Sequence, residues 1–304
     1  MKKQLISCML ACAMAVSLAA CGGSSATAST AVTSSASGKS DTGSAASSSA
    51  GGSGVEDGVF TIANECGYAP YNWAQPTDAN DSVQIADSDQ YANGYDIMIA
   101  KKICDAYGWK LEVKQLDFDS LVPAVQSGTI DAAIAGQSMT AERAENVDFA
   151  GPYFYASIVC LTKSDSKYAS AKGITDLAGG TCTSQISTIW YDNCLPQIKD
   201  AKIQTAAESA PAMLMAVETG QVDYVCCDMP TAEGALVAYP DLKILDFSSG
   251  SDNFKVSDEE INIGISVRKG NTELKDKINA VLGKMTKDDF NNLMTEATKI
   301  APTS

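Results

Sequence analysis

Two side chains of opposite charge stand out for what they could do together. Arg143 follows the polar run Gly136-Gln137-Ser138-Met139-Thr140, and Asp228 closes the apolar run Tyr224-Val225-Cys226-Cys227. Each stands just beyond a strand-like segment. A guanidinium on one edge and a carboxylate on a matching edge suit a small zwitterion held between them. Other chemistries lack their residues. Histidine is absent and the ten cysteines have no metal-ligand spacing, so zinc binding and imidazole catalysis have nothing to work with. No nucleophile has a partnering base, and no acid and base pair up beyond Glu65 and Asp228. Neither a metal nor a cofactor is expected.

The elements that position these charges repeat. Ala124-Val125-Gln126-Ser127-Gly128-Thr129-Ile130-Asp131 returns as Ala216-Val217-Glu218-Thr219-Gly220-Gln221-Val222-Asp223, each copy running into an apolar strand. A duplicated helix, glycine stop and buried strand predict two similar α/β lobes. In such sheets ligands sit beyond the carboxyl ends of the strands, where Arg143 and Asp228 fall. Around the repeat, strands and helices alternate. Val59 to Ala63 predicts a strand, and Asp96 a cap for a helix ending at Gly108. Lys110 to Leu116 predicts a second strand, and Asp119 a cap for the helix leading to a strand at Ile130 to Ala135. Further strands are expected from Ile158, at Thr181 to Ser184 and at Ile261 to Val267, with a helix opened by Ser209 and Pro211 and amphipathic helices over 272–299. This is the doubly wound α/β pattern. A chain that crosses back at the late strand would join the lobes by two connections, a hinge geometry.

The N-terminus speaks of location. Lys2 and Lys3, an apolar core from Leu5 to Val16 and Leu18-Ala19-Ala20-Cys21-Gly22 form an export signal, residues 1–20, and the last of these resembles a bacterial lipobox with Cys21 as the lipid attachment point. Residues 22–54 are nearly all Gly, Ser, Ala and Thr, a flexible tether with a reach on the order of 30 Å. No later stretch approaches the roughly 20 apolar residues of a spanning helix, so the anchor is lipid. With 22 Lys and Arg against 37 Asp and Glu, the chain carries a net charge of −15, which argues against nucleic acid and against anionic lipid as a docking partner for the protein surface. A monomer is expected. Beyond Cys8, Cys12 and Cys21, seven cysteines remain: Cys66, Cys104, Cys160, Cys182, Cys194, Cys226 and Cys227. Cys182 with Cys194 is the candidate disulfide, whereas Cys104, Cys160, Cys226 and Cys227 read as small core hydrophobes.

Several segments together carry a family resemblance. Val59-Phe60-Thr61-Ile62-Ala63, Tyr68-Ala69-Pro70-Tyr71, Gly94-Tyr95-Asp96-Ile97, Asp119-Ser120-Leu121-Val122-Pro123-Ala124 and Gly136 to Arg143 resemble the polar amino-acid-binding family of solute-binding proteins from ABC transporters, family 3. Val147-Asp148-Phe149, Gly151-Pro152-Tyr153, Asp176-Leu177-Ala178-Gly179 and Val267-Arg268-Lys269-Gly270 extend the match over 59 to about 290. The resemblance implies a periplasmic-binding-protein-like type II fold whose two lobes close on an L-amino acid and deliver it to a membrane permease. The division it implies is 21–54 as lipidated N-terminus and linker, 55–155 plus 258–304 as lobe 1, and 156–257 as lobe 2. The protein would be exported and lipid-anchored on the outer face of the bacterial cytoplasmic membrane.

By the same resemblance, Arg143 grips the ligand α-carboxylate and Asp228 receives the α-ammonium. Gly136 offers a carbonyl to the ammonium and Ser138 offers hydroxyl and backbone donors. Thr188 and the Ile189 amide complete the carboxylate cradle at a helix N-terminus. Glu65, Tyr68, Phe118 and Gln185 face the ligand side chain, Glu65 suiting a basic group or an amide. Three alternatives stay open from the residues: Arg143 as a surface helix arginine paired with Glu142 or Glu145, Asp228 as a strand-end cap for the next helix, and Tyr71 and Trp73 as core rather than contact residues. The segment 74–93, rich in aspartate, is a longer connection than the family norm and is expected at the mouth of the cleft. Ser187-Thr188-Ile189-Trp190 departs from the usual Gly-Thr-Thr turn. Beside the transport receptor stand an enzyme on the same scaffold, dehydratase- or lyase-like, and a non-transport surface sensor or adhesion lipoprotein.

Overall fold

The computed structural model describes residues 55–302, so the export signal, Cys21 and the linker lie outside the described residues. Two five-stranded sheets form the body. The first runs Lys110–Gln115, Val59–Asn64, Ala132–Ala133, Asn262–Arg268, Val147–Tyr155; the second runs Lys202–Ile203, Thr181–Thr183, Tyr224–Asp228, Ile158–Lys163, Leu242–Leu245. In both, the first three strands are parallel, and the fourth pairs antiparallel with its neighbour on either side, so the fifth runs with the first three. The fourth strand of each sheet is the one that has just entered from the other, which reverses its direction relative to the parallel set. Where the two crossings pass each other they pair: Tyr155 lies opposite Asn262, Phe154 opposite Ile263, and the Ala156 N–H donates to the Ile261 carbonyl at 3.0 Å. The fold is thus two similar doubly wound lobes on a two-stranded hinge.

The duplicated octapeptide is a duplicated piece of geometry. Gly128 and Gly220 both take the left-handed conformation, φ +76° and +72°, which a residue with a Cβ adopts at a cost. The aspartate ending each copy then locks the turn to the neighbouring strand. Asp131 donates its N–H to the Thr61 carbonyl at 2.8 Å and accepts the Thr61 N–H on Oδ2 at 2.8 Å. Asp223 repeats the pair with Thr181, at 2.8 and 2.7 Å. Each aspartate satisfies a strand donor at the sheet end away from the ligand side, so the two copies set the register of both sheets.

Several local expectations hold and others are corrected. Ser209 caps the helix Ala210–Glu218 through the Ala212 N–H, with Pro211 in its first turn. The helix Tyr95–Tyr107 ends at Gly108 with φ +69°. Asp96 does not cap that helix: Gly94 holds the cap position at φ +121°, and Asp96 lies inside the first turn, its carboxylate taken by Asn72 and Tyr153. Asp119 is likewise no cap. It falls in a 3₁₀ turn, Phe118–Ser120, and the helix Leu121–Ser127 begins after it. The strand expected over Ile130 to Ala135 shortens to Ala132–Ala133, because the chain turns away toward Gly136.

All seven described cysteines are free and buried, so Cys182 and Cys194 are not bridged. Cys182 sits on a central strand and Cys194 in a turn behind the sheet, each occupying an apolar site. Burial pushes the Cys66 and Cys104 thiols up to about 12 and Cys182 to about 11.

The long connection does not reach the mouth of the cleft. Its Ile85 is buried and bridges Val113, the Ala86 N–H donates to the Val113 carbonyl at 2.8 Å, and Asp81 pairs with Lys101 on the first helix. It covers the exposed edge of the first sheet, where unpaired backbone groups would otherwise face solvent. Among the described residues no helix is long and apolar enough to cross a membrane.

Candidate ligand-binding site

The carboxyl ends of the two parallel strand sets face one another, and the residues singled out above gather there. Eight of the ten, Tyr68, Phe118, Gly136, Ser138, Arg143, Gln185, Thr188 and Ile189, line one small cavity with Trp190. It holds about 10 Å³, roughly the space of one water. Phe118, Arg143, Thr188 and Ile189 also line a wider groove of about 590 Å³ outside it. Asp228 and Glu65 border the cavity through partners that line it.

Arg143 is carried on the short helix Ala141–Asn146, which Thr140 caps by accepting the Arg143 N–H at 3.2 Å. The guanidinium donates from Nη1 to the Ser138 carbonyl at 2.8 Å and from Nη2 to the Ser187 carbonyl at 2.7 Å, and lies 5.3 Å from the centre of the Phe118 ring. Two of its five N–H groups are used. Among the described residues no carboxylate comes within 4.0 Å of it, so this half-buried cation is held only by carbonyl dipoles and a ring face. Burial lowers its pKa to about 10, against the raising influence of Glu142 and Asp192, and it stays charged at neutral pH.

Asp228 is the counterpart on the second lobe, fully buried and, among the described residues, also without a cation within 4.0 Å. Its reading as a strand-end cap is correct, and its second carboxylate oxygen faces the cavity wall. Oδ1 accepts the Thr231 N–H at 3.0 Å, capping the helix Met229–Ala238, while Oδ2 accepts the Tyr68 hydroxyl at 3.0 Å. Burial raises its pKa, and the hydrogen bonds from the Thr231 N–H and the Tyr68 hydroxyl oppose that rise.

The remaining contacts zip the lobes together. The Gln185 amide donates to Glu65 Oε1 at 2.8 Å, so three hydrogen bonds tie residues at the cavity across the cleft, Tyr68 to Asp228, Gln185 to Glu65 and Arg143 to Ser187, and Asn193 adds one to Glu260 farther out along the groove. Burial pushes Glu65 up to about 7, partly offset by the Gln185 bond and reinforced by Asp117, Asp96 and Asp119. Gly136 takes φ +62°, and a Cβ there would lie 2.8 Å from Tyr68 Cε1, so only glycine lets the Tyr68 ring lie flat against the backbone. Tyr71, fully buried, stacks behind Tyr68 at 4.9 Å and 6°; neither it nor Trp73 lines the cavity, and both are core.

The second-lobe cradle differs from expectation. The Thr188 hydroxyl donates to the Gln185 carbonyl at 2.7 Å and accepts the Tyr191 N–H at 3.3 Å, so it is spent on its own turn. The element that follows is a five-residue π-helical turn, Trp190–Cys194, and its short run of aligned peptides makes a weaker anion site than a long helix would. Sequence reasoning missed Trp190 as a cavity wall, 6.2 Å from Tyr68, and Ser187 as a partner of Arg143. Ser187 takes φ +59°, which turns its carbonyl back toward the first lobe; no spacing rule signals that.

Two hinged lobes closing over a cation on one side and an anion on the other define a bilobal solute receptor of the periplasmic-binding-protein-like type II class. Likeness to known proteins agrees. A "probable histidine-binding protein" of Campylobacter jejuni is 29% identical over 175 residues, 58% of this chain and 62% of that one. The arginine-binding extracellular protein ArtP of Bacillus subtilis is 28% identical over 196 residues, 63% of this chain and 72% of that one. A crystal structure of an amino acid ABC transporter substrate-binding protein from Streptococcus pneumoniae bound to L-arginine superimposes with a TM-score of 0.68 at 25% identity, over 81% of this chain and 96% of that one. The pattern of the bacterial extracellular solute-binding proteins, family 3, matches residues 76–296, and the chain belongs to that family.

Proposed function

We propose that this protein captures a free L-amino acid between its lobes and delivers it to the permease of an ABC importer, without turning it over. The observation that carries the reading is the pair of unneutralised charges, Arg143 on the first lobe and Asp228 on the second, flanking one closable cavity. A guanidinium fork suits the α-carboxylate and a buried carboxylate suits the α-ammonium. Ser138, Gly136, Thr188 and Ile189 complete the main-chain contacts, and Tyr68, Phe118, Gln185 and Glu65 surround the side chain. Glu65 favours a basic or amide side chain, in keeping with the arginine- and histidine-binding names of the relatives. Charge-assisted hydrogen bonds contribute roughly 1.5–3 kcal/mol each, and micromolar affinity needs about 8 kcal/mol, so the two charges supply much of it.

The lobes comprise 55–155 plus 258–304 and 156–257, and the body hangs from a lipid on Cys21 by the 22–54 tether at the outer face of the cytoplasmic membrane, acting as a monomer. A thermal-shift screen against the twenty common L-amino acids tests the reading, because a ligand of the native state alone raises the Tm. One or a few should raise it in the wild type and none in Arg143→Ala at unchanged fold. A full set without effect, or unaltered affinity in Arg143→Ala, would overturn it.

A further inference from the structure

Behind the cavity wall a buried polar chain runs inward from Gly136 to residues that do not line the cavity. The Gly136 N–H donates to the Tyr153 hydroxyl at 3.0 Å, and that hydroxyl donates to Asp96 Oδ1 at 2.7 Å. The other carboxylate oxygen, Oδ2, accepts from the Asn72 side-chain amide at 2.8 Å. Tyr153, Asp96 and Asn72 are all fully buried. The Tyr153 ring is itself immobilised, stacked on Tyr95 at 5.7 Å and 14°. A phenol has a single proton to give, and here it goes to Asp96, so the hydroxyl meets Gly136 only as an acceptor. The direction of the chain is therefore fixed from the carboxylate outward.

Its outer end is a tightly enclosed glycine. Gly136 lies between the Tyr153 hydroxyl on one side and the Tyr68 ring on the other, in a left-handed turn at φ +62° that also lines the cavity. Nothing in ordinary core packing requires a buried aspartate there. Burying a carboxylate is costly unless it holds bonds of its own, and an apolar residue would fill the space without that cost.

We propose that Tyr153, aimed by Asp96 and Asn72, is a positioning residue that sets the turn at Gly136 and through it the backbone carbonyl offered to the ligand ammonium group. The inference rests on the amino-acid reading of the site. It assigns the three inner residues a role in recognising the ammonium rather than the carboxylate, which Arg143 handles from a different helix.

Two measurements on Tyr153→Phe and Asp96→Asn test it. The first is titration with the L-amino acid that most raises the wild-type Tm, and with the same molecule lacking its α-amino group. Tyr153→Phe should weaken the amino acid about tenfold, the worth of one hydrogen bond, and the desamino compound less than about twofold. A purely structural role would weaken both alike, and that result overturns the proposal. The second needs no ligand: amide hydrogen exchange at Gly136 should quicken at least about tenfold in Tyr153→Phe, while Ile134, whose N–H donates to the Ala63 carbonyl, stays as protected as in the wild type. Unchanged Gly136 exchange overturns the positioning role even if no amino acid binds. Asp96→Asn keeps an acceptor for the hydroxyl and should show the same two effects at smaller size; should Tyr153→Phe not fold, absence of both effects in Asp96→Asn overturns the proposal.

Discussion

Tyr68 and Asp228 meet across the cleft, the phenol hydroxyl donating to the carboxylate at 3.0 Å over a sequence separation of 160 residues. The bond puts a proton donor where the proposed ligand ammonium would donate. With the Gln185–Glu65 and Arg143–Ser187 bonds, it satisfies the binding groups of each lobe with atoms of the other. Closure in this state therefore leaves few buried polar groups unmet, and a ligand must offer better partners than the lobes offer each other.

Asp228→Asn keeps the size and the cap to Thr231 while removing the charge. Affinity for the L-amino acid should fall by about 2 kcal/mol or more, as for a lost charge-assisted bond, while the desamino analogue should lose much less. Isothermal titration with both compounds decides; equal losses would take the ammonium role away from Asp228.

The acid–base behaviour follows from burial. Glu65 and Asp96 are both raised to about 7, from ordinary values of 4.5 and 3.8, and for both desolvation is the largest cause. A carboxyl held above its unfolded value stays protonated in the fold after the unfolded chain has lost its proton. Stability should therefore fall as pH rises from about 4 to about 7. The carboxylates whose pKa is lowered, such as Glu260 and Asp289, act only below that window. The Tm of the ligand-free protein should drop between pH 5 and 7.5, and Glu65→Gln should flatten the drop. A cationic ligand reverses the sign: it favours ionised Glu65, so binding near pH 7 should release a proton, read as a dependence of the calorimetric enthalpy on buffer.

Gly136→Ala should lose binding and stability together. The new methyl would stand 2.8 Å from Tyr68 Cε1 in a backbone region that costs a residue with a Cβ about 1–2 kcal/mol. Chemical denaturation should show a loss of at least that size, and a variant as stable as the wild type would mean the turn relaxes freely.

The repeated aspartates offer an internal control. Asp131→Ala and Asp223→Ala each remove one carboxylate bond to a strand N–H, and each should cost about 1–3 kcal/mol. The loss at Asp223 should be the larger, because its carboxylate also accepts the Thr181 hydroxyl at 2.8 Å. No loss at either one would show that its copy does not depend on the carboxylate lock.

Much of this was legible before any fold was known, and the pattern of success has a reason. The octapeptide repeat, the glycine stops at Gly108, Gly128 and Gly220 and the Ser209 cap are local: the backbone requirement and the residue meeting it lie within a few positions. Asp96 and Asp119 misled because an aspartate before an apolar run has the composition of a cap, and only the presence of Asn72 and Tyr153 in space gave the Asp96 carboxylate other partners. The 74–93 segment misled similarly, since nothing in it says that Ile85 will find Val113.

Sequence by itself determined two lobes, a cation on one, an anion on the other, and the residue types around them, because periodicity, glycine and charge are properties of the chain. Tertiary structure alone decided that Asp228 caps a helix and faces Tyr68 at once, that Thr188 spends its hydroxyl on its own turn, that Trp190 walls the cavity and that Tyr153 buttresses Gly136. Those contacts join residues far apart in the chain, and a side chain with several possible partners takes the one that folding brings within 3 Å.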